Sequence, residues 1–465
     1  MGARRNLAWL VIGAVFGVGL AVVTPPFQSP DEWLHLFAAR QAASLRFLPD
    51  TEGDSLLTFS TPMERDLVAL AARARQWGLP HHPERKVELR EVMVCWDMPA
   101  DLELVDVDAL RFGRSPGIYA PTGYVAPGVA LAVGRALHAP PGPRFLLARL
   151  ANLAAYLLVV LLACRIAPGL RPLLTAFALV PMALASAATL SGDVTLLGSA
   201  LVLLALVVRG CDGERALNGR LALAFAASAL LLALSKGVYA PLLAVWLVVP
   251  SAASGGRGRH LALGGSVLAV AVAMVWGWSQ VGGHGLRLAA AMVGIPAEAN
   301  AAFLASHPLH LIAATARSVL RTDVAAGVTG RLGWLDVELP LTAHVAALAA
   351  LACGAALVEL PPLPRAARVR LALAIFVCCA VGVLGLGVLY GVYGYPLGAP
   401  SYGPSIQGRH LLPLVPWVLC GVRFLLPRPL SLTTEARHRL LLLGSLSGGV
   451  ALLWALLAVV GRYYP

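Results

Sequence analysis

Apolar runs close to the length of a membrane crossing follow one another through most of this chain, and that succession limits the fold more than any single motif. Crossing the hydrocarbon core takes about 20 apolar residues in a helix. Hydropathy places candidate spans at 7–23, 145–163, 172–190, 193–209, 219–235, 237–250, 260–279, 341–358, 370–390, 410–426 and 440–460. The expectation is an all-α integral membrane protein with about eleven transmembrane helices. A transmembrane barrel would show apolar and polar residues in alternation, and none is seen. Charge supports the same class: 13% of the residues are charged, about half of what a soluble domain carries.

The spans divide the chain into an N-terminal helix (1–23), a large first extracytoplasmic loop (24–144), a bundle (145–279), a second such loop (280–340) and a C-terminal bundle (341–465). Arg4 and Arg5 precede the first run and no small-residue cleavage site follows it, so it reads as a retained anchor. Orientation follows from the short loops, because Lys and Arg collect on the cytoplasmic side. With the N-terminus cytoplasmic, sixteen arginines fall on inner segments, while the short outer ones hold Lys236, Arg409 and Arg462. The net charge of +12 is then a loop property and no sign of nucleic acid. Seven cysteines include no C-x-x-C pair, which suggests neither a zinc site nor a disulfide framework. No P-loop or dinucleotide-binding turn occurs, and a soluble nucleotide co-substrate is not expected.

The large outer loop has structure of its own. Helical periodicity covers Asp31 to Leu45, with Leu34, Phe37, Ala38 and Gln41 near one face, and Glu64 to Trp77 reads as an amphipathic helix. Residues 86–112 are acidic and mixed, consistent with a short strand or an irregular lobe.

Candidate chemistry gathers on the outer side. Asp31 and Glu32 follow the first span directly, where ionisable groups are costly. Ser29-x-x-Glu32 matches a capping box with Pro30 at the first helical position, so helix capping explains the pair as well as catalysis does. The catalytic alternative makes Asp31 or Glu32 a general base for an acceptor hydroxyl, or Asp31 a metal ligand, with His35 on the same helix face. Lys236 and Arg409 are cations on the side the positive-inside rule disfavours, and either suits a phosphate. Asp193 occupies a tight turn where capping is again the simpler account. Tyr119, Tyr124, Trp334, Asp336 and His410 lie on or beside the same face, as substrate-binding candidates or as interfacial anchors.

In order along the chain, Pro26-Phe27-Gln28-Ser29-Pro30-Asp31-Glu32-x-x-His35, Tyr119-Ala120-Pro121-Thr122-Gly123-Tyr124, Ser191-Gly192-Asp193, Lys236-Gly237-Val238-Tyr239, Gly333-Trp334-Leu335-Asp336 and Gln407-Gly408-Arg409-His410 resemble the motif set of a family of predicted bacterial integral membrane proteins of uncharacterised function. His410 stands where that pattern has an aromatic. The family in turn is similar to the GT-C superfamily of membrane glycosyltransferases, which carry an acidic pair in the first outer loop and use polyprenyl-phosphate-linked sugars. The resemblance implies a place in the bacterial inner membrane and a lipid-linked sugar donor. It also implies an envelope glycan or other cell-surface acceptor, with Mg or Mn used by some members. The alternative is a transporter or flippase for a lipid-linked envelope substrate, which would place polar groups near the bilayer midplane. An outer phosphate site requires Asp31, Lys236 and Arg409 to converge.

Overall fold

The computed structural model describes residues 2–45, 60–108, 120–212, 218–402, 405–426 and 432–465. Tyr119 lies outside the described residues. The first helix, α1 (Gly2–Val23), leads into a lobe built from α2 (Glu32–Ala43), β1 (Ser60–Glu64), α3 (Arg65–Gln76), α4 (Leu89–Trp96), β2 (Leu104–Asp108) and α5 (Val125–Ala136). The two strands pair antiparallel, Ser60 opposite Asp108 and Glu64 opposite Leu104. The acidic 86–112 segment therefore supplies both a helix and a strand. The lobe core joins Leu36, Phe37, Leu67, Leu70 and Cys95 to Phe145 of the next helix. All four apolar-face positions expected for α2 (Leu34, Phe37, Ala38 and Gln41) are buried.

The bundle follows with α6 (Pro141–Ile166), α7 (Arg171–Ala178), α8 (Pro181–Ala187), α9 (Asp193–Gly210), α10 (Gly219–Ser235) and α11 (Arg257–Met292). Next come α12 (Ala297–Ser306), α13 (Pro308–Val319), α14 (Thr322–Gly330) and a two-residue ladder, β3 (Arg331–Leu332) with β4 (Val337–Glu338). The chain closes with α15 (Leu341–Ala356), α16 (Arg365–Tyr393), α17 (Val415–Leu425) and α18 (Thr434–Tyr463). α9 is buried along almost its whole length and forms the centre of the bundle.

Among the described residues five helices are long and apolar enough to cross a membrane: α6, α9, α11 over Arg257–Gln280, α16 and α18. The bent pair α7–α8 makes a sixth, so eleven full-length crossings are not seen. Proline accounts for much of the difference. The expected 172–190 span breaks before Pro181 with an 80° bend. The 237–250 run winds as a 3₁₀ helix, Gly237–Val248, with Pro241 inside it, and 410–426 begins as the 3₁₀ turn Gly408–Leu414 containing Pro413. A proline removes an intrahelical N–H and crowds the preceding turn, so a uniform α-helix is not available there. The runs Ala8–Val23, Gly219–Ser235 and Leu341–Ala356 are shorter apolar helices. At the other boundary, α11 continues past residue 280, where the second outer loop was expected to begin.

Candidate active site

The turn after α1 sets the geometry. Phe27 and Asp31 both adopt left-handed backbone angles, φ 64° and 59°, and so does Leu335, φ 65°, in the segment that packs beside them. Non-glycine residues enter that region at a cost, and such strain gathers at functional sites. The Trp334 indole donates to the Phe27 carbonyl at 3.0 Å, so it braces this turn. Helix α2 starts at Glu32, with Asp31 as its N-cap and no side-chain cap. The expected Ser29–Glu32 capping box therefore does not form, and Pro30 lies outside the helix. The left-handed Asp31 breaks the helical path that the box requires.

The adjacent carboxylates separate completely. Glu32 is fully buried and takes both arms of the Arg149 guanidinium, at 2.8 Å (Nε) and 2.7 Å (Nη2). Its Oε1 also accepts the Leu190 amide at 2.9 Å. Arg149 donates further to the carbonyls of Ala21, Thr24 and Pro25, which ties the end of α1 to α6. Asp31 instead faces Arg409, with Oδ2 to Nη2 at 3.9 Å and both side chains partly exposed. That separation is an ion pair without a hydrogen bond.

Asp193 does not cap its helix: it is the first residue of α9, and its Oδ1 accepts from Lys236 Nζ at 2.8 Å. The Ser191 hydroxyl takes the Asp193 amide at 3.1 Å, and Asn152 donates to the Thr189 and Ser191 carbonyls. Gly192 is required in this turn, since a Cβ there would lie 2.8 Å from the Tyr124 hydroxyl. Tyr124 in turn sits 2.7 Å from His35 Nδ1 and stacks on that ring.

The electrostatics tie these groups together. Burial is the main cause that brings the His35 imidazole down to about 4. Asp31 and Asp193 oppose that shift, while Arg409 and Lys236 reinforce it. His35 is therefore neutral at pH 7. His410 completes the far wall: its Nδ1 accepts the Gln407 amide at 3.2 Å, Tyr390 stacks on the ring, and Tyr239 donates to its carbonyl.

Asp31, His35, Tyr124, Asp193, Lys236, Arg409 and His410 thus come from distant parts of the chain to one end of the bundle. Beside Arg409 runs a crevice of about 30 Å³, lined in part by Thr24, Gln28, Ser29, Ser186, Thr189 and Ser191. It has room for about two waters. Asp336 behaves differently from the cluster. Its Oδ2 takes Arg462 Nη2 at 2.6 Å, and Arg462 also donates to the Leu79, His82 and Arg85 carbonyls, which staples α18 to the lobe. Among the described residues no three His, Cys, Asp or Glu side chains group closely enough to hold a metal ion. Asp31 has a guanidinium as its charged neighbour, which does not fit a cation site in this conformation.

Sequence reasoning missed Arg149, Asn152 and Tyr390, and held Tyr239 only as part of a motif with no role assigned. Arg149 carried a readable signal: it lies inside the apolar run 145–163, where a charge demands a partner.

Fold and cluster together define a helical membrane protein with a cluster of charged and polar side chains at one end of its bundle. Over residues 14–418 the chain matches the family described as Predicted membrane protein (DUF2142), and it belongs to that family. No curated protein and no solved structure matches it.

Proposed function

We propose that this protein is a membrane glycosyltransferase. It moves a sugar from a polyprenyl-phosphate-linked donor to an envelope acceptor on the extracytoplasmic face of the bacterial inner membrane, with the N-terminus in the cytoplasm. The observation that carries this reading is the convergence of Asp31, Arg409, Asp193 and Lys236 at one end of the bundle. In this scheme Asp31 accepts the proton of the acceptor hydroxyl as that oxygen bonds to the anomeric carbon of the sugar. The bond from that carbon to the phosphate oxygen breaks, and the polyprenyl phosphate leaves with the electron pair. Arg409 and Lys236 stabilise its developing charge. Neutral His35, with Tyr124 and His410, shapes the acceptor side, while Glu32 is assigned to architecture because both its oxygens are engaged. Trp334 and Asp336 support the site through the Phe27 turn and Arg462. The donor enters by drawing Arg409 away from Asp31, which widens the crevice.

The test is Asp31→Asn, with transfer of labelled sugar from the polyprenyl-phosphate pool to envelope polymer as the readout. The expected loss is about 100-fold or more, with the variant still stably folded. Transfer that survives in a stably expressed variant rules out Asp31 as the base. Substrate that crosses proteoliposomes without covalent transfer would establish the flippase alternative. The scheme runs without a metal, so EDTA should leave transfer unchanged; loss that Mg or Mn restores would place a divalent cation on Asp31.

A further inference from the structure

A second cavity lies away from the cluster, between α2, β1 and α5. It measures about 530 Å³ and is lined in part by Arg40, Glu64, Leu131, Arg135 and His138. Glu64 is buried at its base and bridges two guanidiniums, Arg40 Nε at 3.0 Å and Arg135 Nη1. Burial alone would raise the Glu64 carboxyl, but the Arg135 hydrogen bond and the charge of Arg40 hold it low. Among the described lining residues two guanidiniums face one carboxylate, a net charge of +1. Arg135 Nε and Nη2 have no partner among the described residues, and its side chain is only partly covered. An anion fits this cavity by charge and by the bidentate geometry of guanidinium.

The helix that carries Arg135 has an unusual outer surface. α5 packs on α2 so closely that a Cβ at Gly128 would lie 2.8 Å from the Ala39 carbonyl. Its opposite face exposes Val125, Val129, Ala132, Val133, Ala136 and Leu137. Val129 is 59% exposed and Leu137 is 72% exposed. Lobe helix α3 exposes Arg65, Arg73, Arg75 and Gln76 instead, as a helix in water does. A wholly apolar exposed stripe is what lipid selects. It is matched by the exposed Leu147, Leu158 and Leu162 of neighbouring α6, a helix long enough to span. From Tyr124 to Arg135 the rise is about 16 Å, close to half the hydrocarbon thickness. A headgroup at Arg135 therefore leaves its chains beside the valines, pointing towards the level of the charge cluster.

We propose that this cavity binds the phosphate of an anionic phospholipid, whose acyl chains run along the exposed face of α5. This segment then belongs to the membrane-embedded part of the protein, although hydropathy alone leaves it in the loop. The site uses none of the transferase residues, but it sets the charge cluster about half the hydrocarbon thickness below the outer headgroups, a depth the donor phosphate would have to reach and one that the transporter alternative shares.

Two measurements on the full chain in nanodiscs test it. All seven native cysteines are buried, so a new exposed thiol can be labelled selectively. A nitroxide on Val129→Cys should relax with oxygen and be shielded from an aqueous nickel chelate, while Ala72→Cys on α3 should behave in the opposite way. Equal nickel access at both positions overturns the membrane contact. In the second, lipid retained by the protein after extraction from phosphatidylglycerol–phosphatidylcholine nanodiscs is counted by mass spectrometry. Phosphatidylglycerol should be enriched, and Arg135→Ala should reduce its retention about tenfold, as loss of a charge-assisted hydrogen bond implies. Equal retention of the two lipids, or retention unchanged in Arg135→Ala, overturns the proposal. So does binding of inorganic phosphate through Arg135 with no lipid retained.

Discussion

Two sets of ion pairs hold the lobe end of this protein, and they are built to opposite specifications. The Glu32–Arg149 and Asp336–Arg462 pairs are buried, share short charge-assisted bonds, and have their remaining donors spent on backbone carbonyls. The Asp31–Arg409 and Asp193–Lys236 pairs are partly exposed, and the first stands 3.9 Å apart. A buried pair repays its desolvation only with near-complete satisfaction; Glu32–Arg149 reaches it and has no capacity left for a ligand, whereas Asp336 Oδ1 has no partner among the described residues. A looser pair loses less when a substrate phosphate or hydroxyl replaces one partner. Adjacent residues thus serve opposite ends: Glu32 fastens α1 to α6, and Asp31 remains addressable.

The contrast can be broken most severely at Arg149. Arg149→Met leaves Glu32 charged and unpaired in the interior, and the expected loss is about 3–5 kcal/mol. It should be visible as a fall in folded yield and in the thermal midpoint in detergent. Adding Glu32→Gln to that variant should restore part of the loss, because the uncompensated charge is gone. A double variant no more stable than Arg149→Met would show that the pair is not the brace.

A middle-sized effect concerns His35. The unfolded imidazole takes its proton near 6.5 and the folded one only near 4, so the unfolded state binds more protons between those values. Stability is fully present above pH 6.5, declines as pH falls, and stops declining below about 4. The full penalty across that window is about 3 kcal/mol. Thermal midpoints measured from pH 7 to pH 5 should fall less steeply for His35→Asn than for the parent chain. Parallel curves would mean that His35 is not held neutral by burial.

The smallest expected effect is at Lys236. With its pair mostly but not fully covered, Lys236→Met should cost about 1–2 kcal/mol, less than breaking a fully buried pair. The transfer assay should nonetheless respond strongly, since the lost cation is one of two assigned to the leaving phosphate. A large stability loss with unchanged transfer would move this pair into the same class as Glu32–Arg149.

Much of the helical plan was legible from the chain. Periodicity placed α2 and α3 within two residues of their observed starts, because an apolar face repeated every three to four residues has few alternatives. The span count was less legible. Hydropathy measures how apolar a run is and is blind to the bends that Pro181, Pro241 and Pro413 impose. The α5 segment failed in the other direction: twelve residues are too few to register as a span, yet its exposed face is entirely apolar.

By itself the sequence determined the class of protein and the pool of polar residues from which a site could be drawn. Lipid-compatible composition and helical periodicity are local properties, so they can be read locally. Which carboxylate is buried and which is open was decided only in three dimensions. Arg149 lies 117 positions from Glu32, and Arg409 reaches Asp31 from near the other end of the chain. A one-residue twist into the left-handed region at Asp31 then turns the two neighbours apart. Long-range partners and backbone strain of that kind leave no periodic trace, so packing alone assigns the roles.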